Sequence, residues 1–73
     1  MDFDAYMNAL SSFYDEASYW RYESTIGELK PGRVSTLKEK ALLLEKEYKK
    51  LPLEMQRPQV AEHIQKALAL KDS

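Results

Sequence analysis

The glycines and prolines of this 73-residue chain constrain its fold most, because all five fall in two short stretches. Gly27, Pro31 and Gly32 form the first stretch, and Pro52 and Pro58 bracket the second. Gly and Pro are the strongest local interruptions of regular structure. The three segments that remain carry apolar residues at helical spacing, and no segment alternates with the period of two that is typical of strands. The sequence therefore predicts an all-α fold.

The first predicted helix spans about residues 3–25 and has an apolar face that continues for about four turns. The apolar positions on that face are Phe3, Tyr6, Met7, Leu10, Phe13, Tyr14 and Ala17. Asp2 is the expected N-cap, and Gly27 is the expected stop signal. At a rise of about 1.5 Å per residue the helix is about 35 Å long. It must extend beyond shorter partners, so water or another chain must cover its end.

The second predicted helix spans about residues 37–51. Thr36 and Glu39 have the spacing of a capping box, and Pro52 ends the helix. Its apolar seam repeats at spacings of three and four, with Leu37, Ala41, Leu44, Tyr48 and Leu51.

The third predicted helix spans about residues 58–71, with Pro58 at its first position. Its apolar face consists of Val60, Ala61, Ile64, Ala67 and Leu68. Residues 53–57 have two interpretations. They form either a short helical turn that carries Leu53 and Met55 into the core, or the start of one helix kinked at Pro58. Three amphipathic helices on short links predict a single domain over residues 1–73, built as a small three-helix bundle or as an open helical hairpin plus a third helix.

The composition excludes several classes of protein. There is no cysteine, so neither a disulfide scaffold nor a thiolate zinc site can form. No apolar run approaches the roughly 18 residues of a membrane span, and no secretory signal is visible. The formal charge of −1 argues against simple electrostatic binding to nucleic acid. We therefore expect a cytoplasmic protein that binds neither membranes nor nucleic acid.

Motifs for catalysis are absent, since the chain has no phosphate-binding loop, dinucleotide fingerprint or nucleophile elbow. His63 is the only histidine and lies at the edge of the third predicted helix's apolar face. A helical domain this small is expected to lack a pocket of about 300 Å³ or more. We therefore expect a protein that is not an enzyme and that has no catalytic residues, no cofactor and no metal.

Aromatic residues are concentrated in the first 22 positions, which hold seven of the eight. Residues 1–30 also carry six acidic side chains against two basic ones, whereas residues 31–73 carry six against nine. Aromatic side chains with a polar handle are favoured in interface cores, and carboxylates steer a cationic partner. The sequence therefore predicts a protein-binding site made of Asp15, Glu16, Tyr19, Trp20, Tyr22 and Glu23.

Three alternatives to that site stay open. The loop formed by residues 26–35 could cover the rings of Tyr19 and Tyr22, so that both are structural. The acidic and basic halves could pair within the molecule through weak surface ion pairs. The rings could also stack on single-stranded nucleic acid bases, although the neighbouring acids weaken that interpretation.

Leu42 and Leu43 place leucine on two further sides of the second helix, which predicts a homodimer interface at these two residues. The combined features predict a small inhibitor, adaptor or accessory subunit that binds a larger protein partner. A compact, cysteine-free chain that starts with Met and has no targeting signal also suits a regulator encoded by a phage or mobile element. The alternative function is a dimeric DNA-binding regulator in which the second and third helices form a helix-turn-helix.

Overall fold

A computed structural model describes residues 2–71, and within that range the chain forms three α-helices, one 3₁₀ turn and no strand. Helix α1 is Phe3–Thr25, α2 is Arg33–Tyr48 and α3 is Pro58–Leu68, and the 3₁₀ turn is Leu53–Met55. The prediction of an all-α three-helix bundle is confirmed. The molecule measures 39 × 19 × 16 Å, and its long dimension is close to the length of α1.

Helix α1 has the bounds that the sequence predicts, because both of its ends are fixed by local chemistry. At the start, Oδ1 of Asp2 accepts a hydrogen bond of 3.1 Å from the backbone N–H of Ala5. This caps one of the amide groups that have no partner in the first turn. At the end, Gly27 takes a left-handed conformation with φ of 72°, which an L side chain rarely adopts.

Helix α2 begins at Arg33, four residues before the predicted start. Gly32 precedes it in a left-handed conformation with φ of 80°, and the carbonyl of Gly32 accepts the N–H of Thr36 at 2.9 Å. The predicted capping box of Thr36 and Glu39 is wrong, because both residues lie inside the helix. Val34 in this first turn is buried three residues before Leu37, so the apolar seam of α2 extends to the observed start. Arg33 also contacts α1, as described below.

Two predicted helix ends lie three residues too far along the chain. Helix α2 ends at Tyr48 and not at Leu51. The ring of Pro52 disfavours helical geometry at Leu51, and the α-helical hydrogen bonds give way to 3₁₀-type bonds before that residue. The N–H of Leu51 donates to the carbonyl of Tyr48 at 3.0 Å, a 3₁₀-type bond that keeps Leu51 buried. Helix α3 ends at Leu68, and the N–H of Leu70 likewise donates three residues back, at 3.2 Å.

The link between α2 and α3 is the short turn of the first interpretation and not a kinked extension of α3. Met55 packs against the core, but Leu53 is 86% exposed, so its predicted burial is wrong. Two hydrogen bonds hold the link in place. The hydroxyl of Tyr48 donates to the carbonyl of Arg57 at 2.9 Å, and the side-chain amide of Gln56 donates to the carbonyl of Leu51 at 2.9 Å.

Helix α2 forms the centre of the bundle. Both α1 and α3 pack against it, whereas no Cα atom of α1 lies within 8 Å of one in α3. The three largest fully buried side chains are Phe13, Leu44 and Ile64, one from each helix. The core continues through further buried residues, which are Tyr6, Ala9, Leu37, Ala41, Tyr48, Leu51, Val60 and Ala67.

Replacing Leu44 with Ala is expected to lower the free energy of unfolding by about 2–5 kcal/mol, because the change leaves a cavity in the core. The same replacement at Leu53, which is 86% exposed, serves as the control. It is expected to cost less than about 1 kcal/mol. Urea denaturation followed by circular dichroism measures both variants, and equal losses would contradict the central position of Leu44.

Candidate interaction surfaces

The six residues predicted to bind a partner lie on two different sides of α1. Asp15, Tyr19 and Tyr22 are exposed on the side away from the core. Glu16, Trp20 and Glu23 are buried or half-buried on the side that faces the rest of the bundle. The described structure therefore does not bring the six together as one surface.

The exposed side of α1 carries a row of three large apolar side chains, Tyr19, Tyr22 and Ile26, which we name the outer stripe. Their spacing of three and four residues places them on one face of the helix. They are 54%, 65% and 46% exposed. The loop that follows α1 therefore does not cover the two tyrosine rings, and that alternative is wrong. Ile26 was missed in the sequence, although its spacing from Tyr22 continues the pattern.

On the inner side of α1, the guanidinium of Arg33 binds two carboxylates. Nε and Nη2 donate to the two oxygens of Glu23 at 3.0 and 2.9 Å, and Nη1 donates to Oε2 of Glu16 at 2.8 Å. Oε1 of Glu23 also accepts the backbone N–H of Lys30 at 3.2 Å. Two of the predicted partner-binding acids are thus paired with one cation within the molecule, as in the alternative of internal charge pairing.

This ion-pair cluster changes the acid–base properties of its members. Hydrogen bonds from Arg33 lower the pKa of Glu23, burial opposes them, and the N–H of Lys30 adds to the lowering. The same bonds from Glu23 and Glu16 raise the pKa of Arg33, so its charge is permanent. The paired geometry of an Arg fork on a carboxylate is the strong form of this interaction.

Arg33 also connects the cluster to the outer stripe, because its guanidinium carbon lies 5.2 Å from the centre of the Tyr19 ring. A cation at this distance over an aromatic face is attracted by the ring. The contact holds Tyr19 in place on an otherwise solvated surface. Sequence reasoning missed Arg33, since its partners lie ten and seventeen positions earlier and no local pattern connects them.

A groove opens between α1 and α3, with a volume of about 500 Å³. This α1–α3 groove is lined by Phe13, Tyr14, Ala17, Trp20, Arg21, Leu37, His63, Lys66, Ala67, Ala69 and Leu70. At one wall the hydroxyl of Tyr14 and Nδ1 of His63 are hydrogen-bonded at 3.0 Å. The expectation that so small a domain has no room for such a pocket is wrong, because α1 and α3 touch α2 without closing on each other.

Leu42 and Leu43, the predicted dimer interface, are 56% and 49% exposed on α2. Successive helical residues are about 100° apart, so the two side chains point in different directions away from the core. Their exposure is compatible with an interface, and the homodimer stays a prediction.

The surface of α3, which would read DNA in the alternative function, is engaged with neighbouring side chains. Lys66 lies 3.5 Å from the carboxylate of Glu62, and the amide of Gln65 donates to Glu45 at 3.1 Å. A recognition helix usually offers unpaired basic and amide groups to the groove.

Across residues 2–71, no group of three or more His, Cys, Asp or Glu side chains is placed to hold a metal ion. None of the helices in that range combines the length and the apolar character that crossing a bilayer requires. Comparison of the chain with protein-family models, with curated proteins and with solved structures gives no match.

Replacing Glu23 with Gln is expected to destabilise the protein at neutral pH, because Arg33 loses its main anionic partner. Since folding lowers the pKa of Glu23, the ionised carboxylate stabilises the fold above the unfolded pKa of about 4.3. That contribution disappears as the pH falls through the folded pKa. The difference in Tm between wild type and Glu23→Gln should therefore shrink from about pH 7 to about pH 3.

The control for this experiment is Glu39→Gln, because Glu39 is exposed on α2 and has no hydrogen bond or ion pair among the described residues. Its Tm should follow that of the wild type across the same pH range. A wild-type advantage over Glu23→Gln that stays constant with pH would contradict the lowered pKa.

Proposed function

We propose that this chain is a non-enzymatic protein-binding domain, of the inhibitor, adaptor or accessory-subunit type, that docks the outer stripe of α1 on a larger protein. The observation that carries the proposal is the exposure of three large apolar side chains in one row, with Tyr19 and Tyr22 near the end of α1 and Ile26 at its C-cap. Isolated apolar residues are common on protein surfaces, whereas a continuous row is typical of an interaction site.

The spacing of the outer stripe matches a known mode of recognition. Residues at positions i, i+3 and i+7 are the anchors that an amphipathic helix inserts into an apolar groove of its partner. Tyr19, Tyr22 and Ile26 have this spacing and cover about 10 Å along the helix axis. Tyrosine supplies large contact area with few rotatable bonds and a hydroxyl that can remain hydrated at the rim.

The proposal assigns different roles to the acidic residues of the predicted site. Asp15 is exposed one turn before Tyr19, where its carboxylate can attract a cation at the edge of the partner's groove. Glu16 and Glu23 act indirectly, since they hold Arg33 against the Tyr19 ring. Trp20 faces the α1–α3 groove and contributes to a separate surface.

Several further properties belong to this proposal. We propose that the domain works in the cytoplasm, without a cofactor and without binding nucleic acid or membranes. The exposed carboxylate of Glu62, which lies among the basic and amide groups of α3, would be repelled by DNA phosphates, and this supports our view over the DNA-binding alternative. We also propose that Leu42 and Leu43 contribute to a homodimer, because their exposed apolar side chains lie outside the outer stripe.

Replacing Tyr19 and Tyr22 together with Ser is expected to abolish partner binding while changing the free energy of unfolding by less than about 1 kcal/mol. The tagged protein is used to capture its partner from a lysate of the native host, followed by mass spectrometry. Leu53→Ser is the matched control, because Leu53 is exposed but lies far along the chain from the outer stripe. A partner that is retained by the double variant, or lost equally in the control, would contradict the proposed site.

Leu42→Lys and Leu43→Lys are expected to convert a homodimer to monomers without loss of helical signal, because each buries a charge at the interface. Sedimentation velocity at several protein concentrations measures the effect. A wild-type protein that sediments as a monomer at every concentration would exclude this interface.

A further inference from the structure

The α1–α3 groove combines an apolar interior with basic groups at its edge. Its interior is formed by seven apolar residues, which are Phe13, Ala17, Trp20, Leu37, Ala67, Ala69 and Leu70. The polar lining residues are Tyr14, Arg21, His63 and Lys66, and no carboxylate of residues 2–71 lines the groove. A ligand that fits this lining must be largely apolar and must carry its charge as an anion.

The positive charge at the groove is available to a ligand. Arg21 is exposed, and its guanidinium makes no hydrogen bond or ion pair within residues 2–71. The side chain of Lys66 is 72% exposed, and within residues 2–71 its one ion-pair partner is the exposed carboxylate of Glu62, at 3.5 Å. A pair of this kind is weak in water, so the ammonium can turn toward a bound anion at little cost. A guanidinium binds a carboxylate in a paired geometry and is suited to be the main contact.

The dimensions of the groove favour a small molecule over a second protein. Its volume of about 500 Å³ lies within the range of about 300–1,000 Å³ for small-molecule sites. Stable protein interfaces, in contrast, bury about 800 Å² on each partner over a broad surface. Three helices supply the walls and the floor, with Leu37 of α2 at the base.

We propose that the α1–α3 groove binds a single-chain amphiphilic carboxylate, with its hydrocarbon chain along the apolar interior and its carboxylate on Arg21 and Lys66. This site is separate from the outer stripe, and the proposal does not depend on the proposed protein-binding function. Burial of the chain supplies most of the affinity, and the basic edge fixes the orientation.

The protein contains its own reporter, because Trp20 is the single tryptophan and lines the groove. The probe is sodium dodecanoate, titrated below its critical micelle concentration into the full chain. We expect a saturable change in tryptophan fluorescence, with a stoichiometry of one ligand per chain by isothermal titration calorimetry. Dodecyltrimethylammonium, which has an alkyl chain longer by one methylene and the opposite charge, is expected to bind at least about ten-fold more weakly.

Two variants locate the site. Arg21→Glu is expected to weaken dodecanoate binding at least about ten-fold, because a charge-assisted contact is replaced by repulsion. Lys46→Glu makes the same change in charge at an exposed position of α2 outside the groove and is expected to bind as the wild type does. Ala17→Leu fills the interior and is expected to reduce binding while circular dichroism shows an intact fold.

Three results would overturn the proposal. The first is the absence of saturable binding, which would leave the groove to a protein segment. The second is equal affinity for the cationic and anionic surfactants, which would mean a non-specific apolar surface. The third is an equal loss of affinity in Arg21→Glu and Lys46→Glu, which would mean that net charge and not the groove controls binding.

Discussion

The fold depends on the burial of one face of α2 between two other helices. Ala41 and Leu44 on that face are completely inaccessible to solvent, and α1 and α3 both pack there. Here the backbones of α1 and α3 stay more than 8 Å apart between Cα atoms, and their side chains meet at Tyr14 and His63. The bundle is therefore open along the rest of that side. The small core and the groove are thus two results of the same packing geometry.

A second constraint acts at the start of α2, where Arg33 meets Glu16 and Glu23 of α1. Charges that leave water need well-placed partners, and three guanidinium nitrogens here donate to carboxylate oxygens at 2.8–3.0 Å. The contact joins the first residue of α2 to α1 and so closes the loop between the two helices. It also holds the carboxylates of Glu16 and Glu23 on the inner side of α1. The exposed surface of α1 is therefore less negative than its sequence indicates.

The sequence was sufficient to predict what depends on local periodicity, and insufficient for what depends on distant contacts. The three helices and the bounds of α1 follow from spacing on a helical wheel and from local caps, and the wheel also places Tyr19 and Tyr22 away from the core face. Whether the loop after α1 covers their rings depends on tertiary packing, and the sequence left that open. The start of α2 was predicted four residues too late, although buried Val34 continues the apolar seam at a spacing of three from Leu37. The pairing of Arg33 with two carboxylates of α1, in contrast, is contained in no local pattern. The groove and the position of Trp20 in its wall depend on the separation of α1 and α3, which periodicity does not encode.

The stacking of Arg33 on Tyr19 connects the exposed outer stripe with the buried carboxylate of Glu23. The affinity of a molecule that packs on the Tyr19 ring therefore depends on the orientation of the Arg33 guanidinium beside it. Binding at Tyr19 and ionisation of Glu23 are coupled through Arg33. If one of them favours the observed orientation of the guanidinium, it must favour the other by the same free energy. Protonation of Glu23 at low pH would release the guanidinium and would therefore weaken binding of the proposed partner. Binding of that partner would in turn make Glu23 harder to protonate.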